Sequence, residues 1–179
     1  MSAILMISSK GSGTTAASTT VYTVIGNNFT YNTTTEANTQ QTWRSAGILS
    51  QFYFRVTANS NTAGSAGTRI NGVNGSQSIA SFSGTGEFRD STNTDTIAAG
   101  DKVNGFITTG SGGTTAFQVV SSVFASTSAT VTRFGSGGGN GPGASTTRFY
   151  PACGIVSTST VEADNQFKMK IPGTLKNLY

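Results

Sequence analysis

The sequence predicts an all-β fold: an antiparallel β-sandwich, with an N-terminal extended arm and the start of a second tandem repeat. Three observations predict it. Ser, Thr and 23 Gly dominate the 179 residues, while Leu occurs only at Leu5, Leu49, Leu175 and Leu178, so long amphipathic helices lack their usual material. Several segments alternate apolar and polar side chains, the period of a half-buried strand. Turn signals recur every ~8–12 residues, the spacing of a sandwich.

Residues 1–20 read as a flexible docking arm. Ile4, Leu5, Met6 and Ile7 form a short apolar patch, and the Ser/Thr/Gly-rich stretch after it has linker composition. Such a segment orders when the patch finds a partner. The sandwich is expected over 21–134. Its first strand begins at Val21. In Gln51–Ala58, Phe52, Phe54 and Val56 alternate with Tyr53, Arg55 and Thr57, one face in and one face out.

Asn71-Gly72 and Asn74-Gly75 are hairpin signals, with Thr68–Ile70 and Gln77–Phe82 as arms. A short strand follows around Phe88. Residues 90–101 read as a loop ending in a tight Ala99-Gly100-Asp101 turn, followed by a strand over Lys102–Thr108. Gly110–Thr115 is expected to be a hairpin loop. Thr115–Ser126 is the longest β-run, with Phe117, Val119 and Val123 on one face, and Thr127–Phe134 is a weaker one. Residues 135–148 are a Gly-rich linker.

The tail explains the second repeat. Residues 150–179 align with residues 22–53: Glu162-Ala163 matches Glu36-Ala37, Gly173 matches Gly47, Leu175 matches Leu49 and Tyr179 matches Tyr53. Residues 149–179 are therefore expected to be the first strands of an incomplete second copy. Either the natural chain continues, or this strand completes another molecule's sheet, because a lone strand cannot bury its apolar face.

The run from Ala46 to Gly112 resembles a β-sandwich module of bacteriophage and other virus surface proteins, among them capsid-decorating proteins and head or tail fibres. The resemblance rests on Gly47–Tyr53, the Asn71-Gly72 hairpin, the Asp90–Asp95 stretch and the Ala99-Gly100-Asp101 turn, with an echo at 171–179. This chain departs from the pattern in having Gly105 inside a strand, expected to weaken it or mark a bulge.

The resemblance implies a jelly-roll-like sandwich, a virion-surface structural protein of the cement or fibre-base kind, and a homotrimer. Residues 1–20 have no counterpart in it, and the docking of Ile4, Leu5, Met6 and Ile7 on major capsid or tail proteins is read from the composition of the arm. The resemblance also allows two alternatives. One is a tail-fibre module that binds a host glycan through residues 83–96 or 110–115. The other is an extracellular filament subunit built by strand exchange. The start of the chain carries no basic region ahead of its apolar run, so synthesis in the host cytoplasm without a signal peptide is expected. That argues against the filament and suits a virion protein, assembled inside a cell and exposed later.

Composition excludes several chemistries. There is no His, so Ser-His-Asp and Cys-His arrangements cannot form. Cys153 is the single cysteine, so no internal disulfide and no cysteine-based zinc site is expected. No apolar run approaches the ~18 residues of a membrane span. The net charge is +4, but the basic residues are scattered, so no nucleic-acid partner is expected.

Glu87 and Asp90 should point to opposite faces of a strand, and Asp95 and Asp101 flank a turn. All four read as structural acids rather than a glycosidase pair. Residues 90–95 lack the acidic spacing of a calcium loop. Gly11-Ser12-Gly13 and Gly139-Asn140-Gly141 open no helix and so cradle no phosphate. No catalytic residue, metal or cofactor is expected. Trp43, Phe52 and Phe54 remain as aromatics of the core, a subunit interface or a glycan groove.

Overall fold

The computed structural model describes residues 3–9, 14–25, 32–127, 136–137, 145 and 154–155. The strands are β1 (Ala3–Ser9), β2 (Thr14–Ala16), β3 (Thr20–Thr23), β4 (Asn32–Thr33), β5 (Gln41–Thr42), β6 (Gly47–Asn59), β7 (Gly64–Ile70), β8 (Val73–Phe82), β9 (Gly86–Ile97), β10 (Lys102–Thr108) and β11 (Thr114–Ser126). A 3-10 turn, Glu36–Asn38, lies between β4 and β5. A short parallel pair joins β12 (Ser136–Gly137) to β13 (Gly154–Ile155).

Two antiparallel sheets make a sandwich. The five-stranded sheet runs β1-β11-β6-β9, with β2 also on β11. The six-stranded sheet runs β4-β3-β10-β7-β8, with β5 also on β10. From β6 onward the chain crosses repeatedly: β7 and β8 lie in the second sheet, β9 in the first, β10 in the second and β11 in the first. That alternation makes the sandwich jelly-roll-like, as the resemblance implies.

The core lies between the sheets and includes Ile25, Trp43, Leu49, Phe52, Phe54, Phe82, Ile97, Ile107, Phe117 and Phe124. Burying each large side chain contributes about 1.5–3 kcal/mol. The aromatics interlock. Phe54 meets Phe82 edge-on with ring centroids 5.0 Å apart, and stacks on Phe88 at 5.4 Å.

The N-terminal arm is extended, but it is laid on the chain's own sheet. Ala3 to Ser9 pair with Ala125 to Val119 of β11. Asn71-Gly72 is the expected hairpin turn: φ is +53° and +82°, the signature of a type I′ turn, with Ile70 opposite Val73.

Other expectations need correction. Asn74-Gly75 is no turn but part of β8. Residues 90–97 are no loop, because β9 continues to Ile97, with a register shift against β6 between Asp90 and Thr94. Gly110–Thr115 closes no hairpin: β10 and β11 belong to different sheets, so this stretch arches across the sandwich. Gly105 causes no bulge, since β10 keeps register on both sides of it. A Cβ there would sit 3.2 Å from Thr23 Cγ2, so the glycine allows close packing. Among the described side chains of β11 the buried apolar ones are Phe117, Val120 and Phe124, while Val123 is half-buried. Bulges against β6 break the simple alternation.

The second repeat over 149–179, the linker over 135–148 and the weak strand over 127–134 lie outside the described residues, apart from 127, 136–137, 145 and 154–155.

Candidate functional site

Trp43, Phe52 and Phe54, the expected interface or glycan contacts, are buried in the core at 1%, 0% and 0% exposure. Of the roles open to them, core packing is the one these buried positions fill. Trp43 instead holds a turn. Its N–H donates to the Asp101 carbonyl at 2.7 Å, its carbonyl accepts from Gly100 N–H at 2.6 Å, and its ring packs edge-on against Phe124. Ile4, Leu5, Met6 and Ile7 lie in β1, opposite Phe124, Val123, Ser122 and Ser121.

The acids hold structure. Glu87 is exposed and Asp90 buried, on opposite faces as their spacing requires. β8 is the edge of one sheet and β9 the edge of the other. Side chains from β9 bridge this seam. Asp90 Oδ2 accepts from Ser78 N–H at 2.8 Å, while its carboxylate also accepts from Thr92 N–H, Asn93 N–H and the Asn93 amide.

Asp95 accepts from Ser76 N–H and Thr68 Oγ1, both at 2.5 Å, and from the Gln77 amide at 3.1 Å. Gln77 is buried, and its Oε1 accepts from Phe52 N–H at 3.0 Å where β6 and β9 slip register. Burial pushes the Asp90 carboxyl up, but the Asn93, Ser78 and Thr92 donors outweigh it and bring its pKa to about 2. Asp101 is lowered by the Asn71 amide and then by Ala98 N–H, so it caps the turn before β10.

These donors decide against calcium. A cation needs oxygens turned toward it, whereas here N–H and O–H groups converge on the carboxylates. Among the described residues no three His, Cys, Asp or Glu side chains group as metal ligands.

The outer face of the six-stranded sheet is organised differently. Tyr22 of β3 lies directly opposite Phe106 of β10, which lies opposite Gly67 of β7, which lies opposite Ser78 of β8. One row further along are Thr20, Thr108 and Ser65, with Thr20 and Thr108 hydroxyls 2.9 Å apart. Tyr22 and Phe106 are half-buried.

Beside them Arg69 reaches across the sheet. Its Nε donates to Glu36 Oε1 at 2.6 Å and Nη2 donates to Glu36 Oε2 at 3.1 Å. Nη1 donates to Asn74 Oδ1 at 2.6 Å, Nη2 also donates to the Gly72 carbonyl, and Cζ lies 5.5 Å from the Tyr22 ring centroid. Asn104 is buried on this face, its amide donating to Thr39 Oγ1 at 3.1 Å.

Sequence reasoning missed Tyr22, Arg69 and Phe106. The signal was present in the alternation of Lys102–Thr108, which turns Phe106 outward from Val103 and Ile107.

No family model and no curated protein matches the chain. A solved structure similar to it is the CBM36-1 domain of a multidomain xylanase from the hindgut metagenome of Trinervitermes trinervoides. The identity is 11% and the TM-score 0.38, over 69% of this chain and 97% of that domain. So distant a likeness says nothing about a ligand.

Proposed function

We propose that the chain is a non-catalytic structural module of a virus-particle surface, attached through its N-terminal strand and assembled as a homotrimer of sandwiches. The observation that carries the reading is the placement of β1. It lies at the sheet edge, held by main-chain pairing to β11, and a Lys10-Gly11-Ser12-Gly13 connector separates it from β2. A strand held this way can be donated to, or completed by, a neighbouring capsid or tail protein, since main-chain pairing supplies affinity without a specific side-chain pocket. The absence of His from the sequence and the saturation of Asp90 and Asp95 by hydrogen bonds support a role without chemistry.

Deletion of residues 1–13 tests this. Co-sedimentation with particles stripped of the protein should fall to background while circular dichroism keeps its β signal. Normal co-sedimentation of the deleted form would refute attachment through β1. Light scattering on the full chain checks the trimer, which requires the mass of three copies.

A further inference from the structure

We propose that the outer face of the six-stranded sheet binds a neutral oligosaccharide, with Tyr22 and Phe106 as the rings on which sugars stack. The proposal stands apart from the attachment reading, since it uses a different sheet.

The first argument is how the rings are presented. Directly opposite residues of an antiparallel pair hold their Cβ atoms about 4.5–5.5 Å apart, so Tyr22 and Phe106 start from neighbouring positions on the same face. Gly67 makes room for Phe106 to lie down. A Cβ on Gly67 would sit 3.0 Å from Phe106 Cε1, so any larger residue would lift the ring off the sheet. Arg69 holds the neighbouring ring by lying over one of its faces, Cζ 5.5 Å from the Tyr22 centroid, so a sugar would meet Tyr22 on its remaining face and edge. Rings already held in place lose little entropy on binding.

The second argument is charge. The row Tyr22–Phe106–Gly67–Ser78 and the row Thr20–Thr108–Ser65 contain no charged residue. Arg69, the adjacent cation, is engaged by both oxygens of Glu36. A phosphate, sulfate or carboxylate would have to displace Glu36 to reach it, so an anionic polymer gains little here. An apolar protein surface fits poorly as well, because hydroxyls border the rings. A neutral sugar fits both parts: its C–H face lies on an aromatic ring, and its hydroxyls meet Thr20, Thr108, Ser65 and Ser78.

The test is an array of neutral hexose, xylose and N-acetylhexosamine oligomers alongside sialylated and sulfated ones, followed by calorimetry on each hit at low and high salt. The expected result is binding to a neutral oligomer that salt leaves unchanged. Tyr22→Ala and Phe106→Ala should each weaken it about tenfold. Thr57→Ala, on the other sheet, should leave it intact. If Phe106→Ala does not fold, Phe106→Leu keeps the apolar volume and removes the ring, and should weaken binding similarly. Three results would each overturn the proposal: no neutral oligomer bound, binding indifferent to both rings, or binding restricted to anionic glycans and lost in salt.

Discussion

Gln77 shows what a single buried polar residue does in this sandwich. β6 slips register against β9 beside Gln51, which sits at φ +57°, and Phe52 N–H is satisfied by Gln77 Oε1 from the other sheet. The Gln77 amide then donates to Asp95. Leucine would fill the volume but orphan the Phe52 N–H, at about 1–3 kcal/mol, and take one donor from Asp95, which keeps those of Thr68 and Ser76. Gln77→Leu is therefore expected to lower unfolding stability by about 2–4 kcal/mol, read from urea titration. An unchanged midpoint would mean that these bonds carry no net stability.

Much at this scale was legible. Phe52, Phe54 and Val56 alternate in the sequence and are buried in the fold. Gln77 was not legible, because its role depends on a partner 25 residues away and on a bulge that no local pattern announces. Residue type alone leaves Trp43 open as core, interface or glycan contact, while the alternation of Lys102–Thr108 turns Phe106 outward without marking it as more than an ordinary strand aromatic.

At the scale of elements, turn chemistry was readable where it acts locally. Asn71-Gly72 forms its hairpin, and Ala99-Gly100-Asp101 forms its turn with Gly100 at φ +100°. Asn74-Gly75 misleads for a different reason. Gly75 is present because a Cβ there would lie within 3 Å of Thr68 Oγ1 and both Asp95 oxygens, leaving no space for a side chain. Gly84 is a useful contrast: φ is +71°, with nothing within 4 Å of a Cβ. Gly75→Ala should destabilise by about 2–4 kcal/mol through overpacking and disturbance of the Asp95 bonds, and Gly84→Ala by about 1 kcal/mol through backbone strain. Thermal unfolding of the two variants checks the order, and a Gly84 variant equal to or worse than the Gly75 one would contradict this account.

Residues 90–97 read as a loop because polar residues crowd them. They stay in a strand because Asp90 turns its carboxylate onto Thr92 and Asn93 N–H, absorbing the extra residues as a bulge. Side-chain capping of that kind leaves no period-2 trace.

At the scale of the whole molecule, the sandwich was legible from composition and period. The sheet order was not, since nothing local says that β10 and β11 belong to different sheets or that β1 closes on β11. The same long-range order exposes edges that need protection. β8 is one, and the N–H groups of Ser76 and Ser78 are occupied by Asp95 and Asp90 rather than by a neighbouring strand.

This makes the edge sensitive to acid. The folded pKa of Asp90 is about 2, below its ordinary value of 3.8. The stabilisation it gives is thus complete above about pH 5 and is lost as pH falls through 4 toward 2, amounting to about 2 kcal/mol. Asp101 is shifted in the same direction and adds to the loss. Protonated Asp90 is a poorer acceptor for Ser78 N–H, and the β8 edge opens to pairing with a second copy. Stability from denaturant titration should therefore fall between pH 5 and pH 2, with light scattering rising over the same range. Asp90→Asn should remove most of the pH-dependent part and scatter already at pH 7. A variant whose stability still tracks pH as the parent does would show that Asp90 is not the group that titrates.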